Sequence, residues 1–174
     1  MAQSAVFPGD DVVPNAATVY YHTRLLQARP GVIFPWIIQV GQGRGGWCLP
    51  SFWEQLLPPS WRASRTIEPQ WQALQVGDRV ADYGKDELFE VISIDPPHSL
   101  VFAGERFGTV FKWALLLRPN TEDSTEVHLR FRGRIHSVGW RRRLLVFGGE
   151  LLDWATASPM LAGLAERAER THTA

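Results

Sequence analysis

Two stretches decide the architecture: TVFKWALLL at residues 109–117 and TEVHLRFRGRI at residues 125–135. In the first, Phe111, Trp113, Leu115 and Leu117 recur at every second position. In the second, Val127, Leu129, Phe131 and Ile135 share one face, with His128, Arg130, Arg132 and Arg134 opposite. A period of two is the signature of a half-buried strand, because successive side chains of an extended chain point to opposite faces. The short connection through Pro119-Asn120 pairs the two strands as a hairpin. The basic alternate positions predict a solvated outer face.

Working upstream, Leu88–Ile94 is bounded by Asp95, Pro96 and Pro97, and Ser99–Ala103 by Gly104. With the Val76-Gly77-Asp78 turn before them, these runs make a meander of about five strands. Downstream, the period changes at Gly139. Leu144, Phe147 or Gly148, Leu151, Leu152 and Ala155 fall at helical spacing, and Met160, Leu161, Leu164, Ala165 and Ala168 continue the apolar side. This predicts one long amphipathic C-terminal helix, supported by the Glu166–Arg170 pair four residues apart. Ser158-Pro159 forms an N-cap and first-turn pair, so the helix is expected to kink or restart there.

Nearer the N-terminus, ATVYYHTRLLQA at residues 17–28 reads as a strand ended by Pro30-Gly31. VIFPWIIQV at residues 32–40 reads as a short helix beginning near Phe34, or as an edge strand. Ser51 to Leu57 reads as a second short helix with a capping box of Ser51 and Glu54, stopped by Pro58-Pro59. Residues 1–16 carry turn residues and little to bury, which predicts a flexible arm ahead of a single domain spanning residues 17–171. The order is strand, two short helices, meander, long helix. It predicts an α+β fold in which a curved antiparallel sheet wraps a long C-terminal helix, leaving a cavity between them.

Composition narrows the function. The chain has 174 residues, 45% apolar and 21% charged, which fits one globular domain. Lys+Arg and Asp+Glu are both 18, so no global field selects a polyanion or a cationic partner. One cysteine, Cys48, excludes an intrachain disulfide and a cysteine-based zinc site. Neither a secretory leader nor an apolar run of about 18 residues is present, and the expected location is the cytoplasm. Eight tryptophans are more than a core of this size requires.

Several motifs have ordinary readings. GQGRGG at residues 41–46 matches G-x-G-x-x-G, but Pro50 interrupts any helix after it and the chain does not alternate strand with helix. A turn at a cavity mouth is expected instead. Arg130, Arg132, Arg134 and Arg141–Arg143 form a basic cluster, with no zinc-finger, helix-turn-helix or aromatic RNA-binding signature beside it. His22, His98, His128, His136 and His172 show no metal spacing, and no metal or other cofactor is expected. Cys48 reads as an inert buried thiol. Asp86-Glu87 reads as a hairpin tip. Glu150 and Asp153, three apart on the long helix, share a face. If that face points inward, one of them gains a raised pKa and can act as acid or base. The aromatics are the positive signal. Trp36, Trp47, Phe52, Trp53, Phe89, Phe102, Phe111, Trp113 and Phe131 come from every element around the sheet–helix space. Buried Trp needs a hydrogen-bond partner, which a pure core supplies poorly.

The residues Ala28-Arg29-Pro30, Phe34-Pro35-Trp36-Ile37, Gln39-Val40-Gly41 and Arg44-Gly45-Gly46-Trp47 resemble the SRPBCC superfamily, the START and polyketide-cyclase-like helix-grip proteins. Ile67-Glu68-Pro69, Trp113-Ala114-Leu115, the late strand at 125–132 and the helix tail at 160–169 are similar to the same pattern. The resemblance implies a helix-grip fold around a hydrophobic cavity that binds lipids, polyketides or other apolar metabolites. Some such proteins are cyclases, aromatases or dehydratases. It carries over no catalytic residue, and Cys48 and Pro159 depart from the commoner pattern.

The expected function is binding of a hydrophobic small molecule, with Trp36, Trp47, Trp53, Phe111, Trp113 and Phe131 lining the cavity and Arg44 and His22 as polar contacts. The alternative is a cyclase or dehydratase that folds its substrate and uses Glu150, Asp153 or His22 as acid or base. A third possibility is membrane or protein contact through Arg141–Arg143. Nucleic acid is not an expected partner, and membrane contact is at most transient.

Overall fold

The structure is a computed structural model that describes residues 7–82, 88–106, 108–135 and 140–173, with the helix over 140–152 described as backbone only. Strand β1 (Thr18–Leu26) leads into helices α1 (Pro30–Ile38) and α2 (Ser51–Gln55). Strands β2 (Arg79–Ala81), β3 (Leu88–Asp95), β4 (Ser99–Arg106), β5 (Thr109–Thr121) and β6 (Ser124–Ile135) follow, and then α3 (Trp140–Thr173). The six strands form one antiparallel sheet in the order β1-β6-β5-β4-β3-β2. The meander closes onto β1, which pairs with β6 from Thr18↔Gly133 to Leu26↔Thr125. Helix α3 packs across β1, β6 and α1, giving a helix-grip α+β fold. No described helix is long and apolar enough to cross a membrane.

The strand parity is as the alternation predicts. Leu115, Leu117, Val127 and Leu129 lie 0–1% exposed in the core under α3, together with Leu161, Leu164 and Ala168 of the helix. Local details depart from expectation. Helix α1 starts at Pro30, four residues before Phe34, because Pro30 fits the first turn; Pro35 is accommodated inside it. The Ser51–Glu54 capping box does not form. The Ser51 N–H donates to the Glu166 carboxylate of α3 at 3.0 Å, and Glu54 turns inward to α3. Helix α3 neither ends nor restarts at Pro159; it runs through. The carbonyl that Pro159 leaves without its N–H partner belongs to Ala155, an exposed residue.

The outer face of the sheet is the largest departure. Lys112, His128 and Arg130 are 0–4% exposed, not solvated. Residues 7–14 cover them. Lys112 and Arg132 stand directly opposite in the β5–β6 register, an unfavourable like-charge pair. Asp10 lies between them, accepting from Lys112 Nζ at 2.7 Å and lying 3.4 Å from Arg130 and 3.9 Å from Arg132. Arg132 also donates to the Val13 and Pro14 carbonyls. Phe7, 2% exposed, stacks beneath the Arg130 guanidinium and meets Tyr21 and His128 edge-on. The segment read as having little to bury therefore buries Phe7 and Val13.

Burial pushes the Asp10 carboxyl up, but the Lys112 hydrogen bond, the Phe7 N–H and the charges of Lys112 and Arg130 outweigh it and hold the carboxyl below its ordinary value. A depressed carboxylate stabilises the fold above its unfolded pKa, and that stabilisation is lost as pH falls through the folded pKa. Asp10→Asn is expected to cost about 3 kcal/mol at neutral pH by leaving Lys112 without its anion. The difference from wild type should shrink as urea unfolding is repeated from pH 6 down to about pH 3, towards the ordinary Asp pKa and below. A difference independent of pH would show that the Asp10 charge does not act this way.

Candidate functional site

The inner face of the sheet divides into two chemistries. Beneath the C-terminal part of α3 it is aliphatic: Leu26, Val127, Leu117, Leu129, Leu115 and Leu100. Towards the start of β5 it becomes aromatic, as the register requires. Tyr20, Phe131, Trp113 and Phe102 form one row across β1, β6, β5 and β4. Phe111 and Phe89 stand beside that row. The rings are continuous. Phe131 stacks on Tyr20 at 5.6 Å and on Phe111 at 5.5 Å, and Phe89 meets Phe111 edge-on at 5.3 Å. Trp47 closes over them from the α1–α2 loop, 5.3 Å from Phe89 and 5.6 Å from Trp113.

The glycine-rich stretch builds the position of Trp47. Gly41 and Gly46 exchange backbone hydrogen bonds at 3.2 and 3.0 Å, closing a tight turn. A Cβ on Gly46 would lie 2.4 Å from the Ala63 backbone, and its φ of 77° also favours glycine. The stretch is a turn, as expected, not a strand-to-helix phosphate loop.

Of the residues predicted to line the site, Trp36, Trp47 and Phe111 are buried at 2, 8 and 6% exposure. Trp113 and Phe131 are partly buried among the rings. Trp53 stands away from the ring cluster, 53% exposed on α2 beside Phe52 at 66%. Arg44 Nη2 is held inside the loop, donating to the Ile38 and Trp71 carbonyls at 3.1 and 3.0 Å with the guanidinium stacked on Trp71, while the buried Nε bonds to nothing among the described residues. Arg44 therefore braces the loop through Nη2. The Trp36 and Trp47 indole N–H groups are buried and bond to nothing among the described residues.

At the border between the aliphatic and aromatic halves, two residues from opposite ends of the chain meet. His22 of β1 and Asp153 of α3 are 131 positions apart, and Nε2 lies 2.5 Å from Oδ2. The side chains are 21% and 14% exposed. His22 is two residues from Tyr20 on the same strand face, so the pair adjoins the ring cluster. Burial pushes the Asp153 carboxyl above its ordinary value, and the hydrogen bond and charge of His22 offset this only in part. With Asp153 ionised, Nε2 is the donor and Nδ1 carries the lone pair, the arrangement of a general base oriented by a carboxylate. The Glu150 side chain, Asp86-Glu87, His136 and the Arg141–Arg143 side chains lie outside the described residues. Burial pushes the Cys48 thiol up to about 11, so it carries no thiolate at neutral pH. Among the described residues no cluster of three His, Cys, Asp or Glu could hold a metal ion.

Sequence reasoning did not single out Tyr20, which joins the ring cluster. Its signal was present: it shares a strand face with His22. The His22–Asp153 contact had no local signal, since only the crossing of α3 over β1 makes it.

A curved antiparallel sheet gripping one long helix is a helix-grip fold. No protein-family model and no curated protein matches the sequence. Among solved structures the chain is similar to an HSP90 activator from Plasmodium falciparum, with a TM-score of 0.53, 14% identity and coverage of 85% of this chain and 94% of that one. It is similar to an aromatase/cyclase from Streptomyces sp. R1128, with a TM-score of 0.52, 14% identity and coverage of 88% and 94%. A norcoclaurine synthase from Thalictrum flavum, in complex with dopamine and hydroxybenzaldehyde, matches at a TM-score of 0.52 and 13% identity over 86% and 84%. At these identities the likeness defines the fold alone.

Proposed function

We propose that this protein binds an aromatic or otherwise apolar small molecule carrying at least one hydrogen-bond acceptor, seated against the aromatic half of the inner sheet face. The observation that carries this reading is the pair of buried, unpartnered indole N–H groups of Trp36 and Trp47. Leaving such a donor unpaired costs on the order of 1–3 kcal/mol; an acceptor on a bound molecule would recover part of that. Trp36, Trp47, Phe111, Trp113 and Phe131 are its residues. Two of the similar structures are an aromatase/cyclase and a synthase holding aromatic compounds, which supports a ligand of that class. The HSP90 activator carries the same fold under a different name, so the reading rests on the ring cluster and its donors.

Trp113→Ala is expected to weaken binding of the aromatic probe anilinonaphthalenesulfonate at least ~10-fold, a loss of about 1.4 kcal/mol, while circular dichroism stays native. Unchanged affinity in a folded variant would remove Trp113 from the lining.

A second reading, catalysis, is favoured by the His22–Asp153 pair. His22 Nδ1 would take a proton from a carbon next to a ligand carbonyl, and Asp153 would stabilise the imidazolium that forms. Native mass spectrometry of protein purified from its own host separates the readings. A single compound recovered intact supports binding, whereas a compound together with its cyclised or dehydrated counterpart supports catalysis.

A further inference from the structure

Four large apolar side chains project from α2 and the turn after it: Phe52, Trp53, Leu56 and Trp61, at 66, 53, 68 and 43% exposure. Phe52 and Trp53 touch edge-to-face at 5.8 Å, and Leu56 follows them by one helical turn. Within residues 51–61 the only ionisable side chain is Glu54. It faces inward at 5% exposure, with its oxygens bonded to Arg167 and Arg65. The outward side of this segment therefore carries no formal charge. Arg62 comes directly after it and folds back onto the Leu57 and Gln55 carbonyls at 3.0 and 3.2 Å. That leaves an uncharged aromatic tip with a cation at its base, bonded to the Gln55 and Leu57 carbonyls.

We infer that this tip is a bilayer-docking surface, with Phe52, Trp53, Leu56 and Trp61 entering the headgroup region and Arg62 facing anionic lipid. Trp is the side chain most at home at a membrane interface. An inserted segment must be free of unpaired charge, which the inward turn of Glu54 achieves. The basic residue at the rim matches the negative surface potential of anionic lipids. A protein partner fits less well. Side chains of these sizes and exposures offer on the order of 500 Å², below the ~800 Å² per partner of a stable protein interface. The tip is also held rigid from below by the contacts of Glu54 and Glu166 with Arg65, Arg167 and the Ser51 N–H. The inference stands apart from the aromatic site, because none of these four side chains belongs to the ring cluster.

The test is co-sedimentation of the full chain with vesicles of phosphatidylcholine containing a quarter phosphatidylglycerol, and with pure phosphatidylcholine vesicles. Wild type is expected to partition onto both, more strongly onto the anionic ones. The double variant Trp53→Ser with Leu56→Ser should lower the partition coefficient at least ~10-fold with an unchanged thermal midpoint, since both side chains are exposed. Arg62→Gln should reduce only the anionic preference. Absence of partitioning, or equal partitioning by wild type and the double variant, overturns the inference. So does a vesicle-free dimer that the double variant converts to monomer in sedimentation velocity, since the tip would then be a protein contact.

Discussion

Gly163→Ala is expected to destabilise the protein by at least about 3 kcal/mol, at or beyond the upper end of ordinary overpacking. Helix α3 crosses the α1–α2 loop at this residue. A Cβ there would lie 1.9 Å from the Cys48 carbonyl oxygen and 2.3 Å from the Leu49 carbonyl carbon. Both are backbone atoms, so no rotamer change relieves the overlap. The loop cannot easily retreat: Arg167 donates to the Leu49 and Gly163 carbonyls at 2.9 Å each, tying loop and helix together. Moving the helix away would loosen Leu161 and Leu164, which are 2% and 0% exposed. Urea unfolding measures the loss. Gly31→Ala is the control, because a Cβ at Gly31 meets nothing within 4 Å; it should be neutral or stabilising by about 0.5–1 kcal/mol. Equal behaviour of the two variants would mean that the crossing is looser than described.

Glu54→Ala is expected to cost about 3–5 kcal/mol, the usual consequence of removing one member of a buried ion pair. Glu54 Oε1 lies 2.5 Å from Arg167, whose side chain is 1% exposed, and Oε2 lies 2.6 Å from Arg65. Without the carboxylate, the Arg167 guanidinium is a buried charge whose remaining acceptors are the Ser64, Leu49 and Gly163 carbonyls. Arg167→Ala should cost at least as much, since it also orphans those carbonyls. In the double variant the losses should fall short of the sum by about 2 kcal/mol, because one interaction is being removed twice. Strict additivity would refute the coupling. The same network seats α2, so the Glu54 variant is also expected to loosen the exposed aromatic tip.

Much of this was legible one residue at a time. The alternation of Phe111, Trp113, Leu115 and Leu117 placed the inner face of β5, and the aromatic residues on it could be named from parity alone. The contacts that were not legible are those that depend on how the chain folds around a residue. Arg44 looked like a polar contact because no periodicity reveals the Ile38 and Trp71 carbonyls that its Nη2 meets in the folded loop. Trp53 looked like lining because a short helix has no long period to fix which side faces in. Glu54 had the spacing of a capping box, yet Arg167, 113 residues away, outbids a local backbone N–H with a full charge.

The sequence by itself determined the element order, the parity of β5 and β6 and the helix-grip architecture, because periods of two and 3.6 are local properties of backbone geometry. The parity of β3 and β4 was not legible in their short runs. Tertiary structure alone decided the rest. It laid residues 7–14 over a basic face, since like charges opposed across β5 and β6 need an anion, which the distant Asp10 supplies. It brought His22 to Asp153 and left the Trp36 and Trp47 indole N–H groups buried. Those outcomes depend on which surfaces meet when the sheet curves around α3, and no local periodicity encodes that meeting.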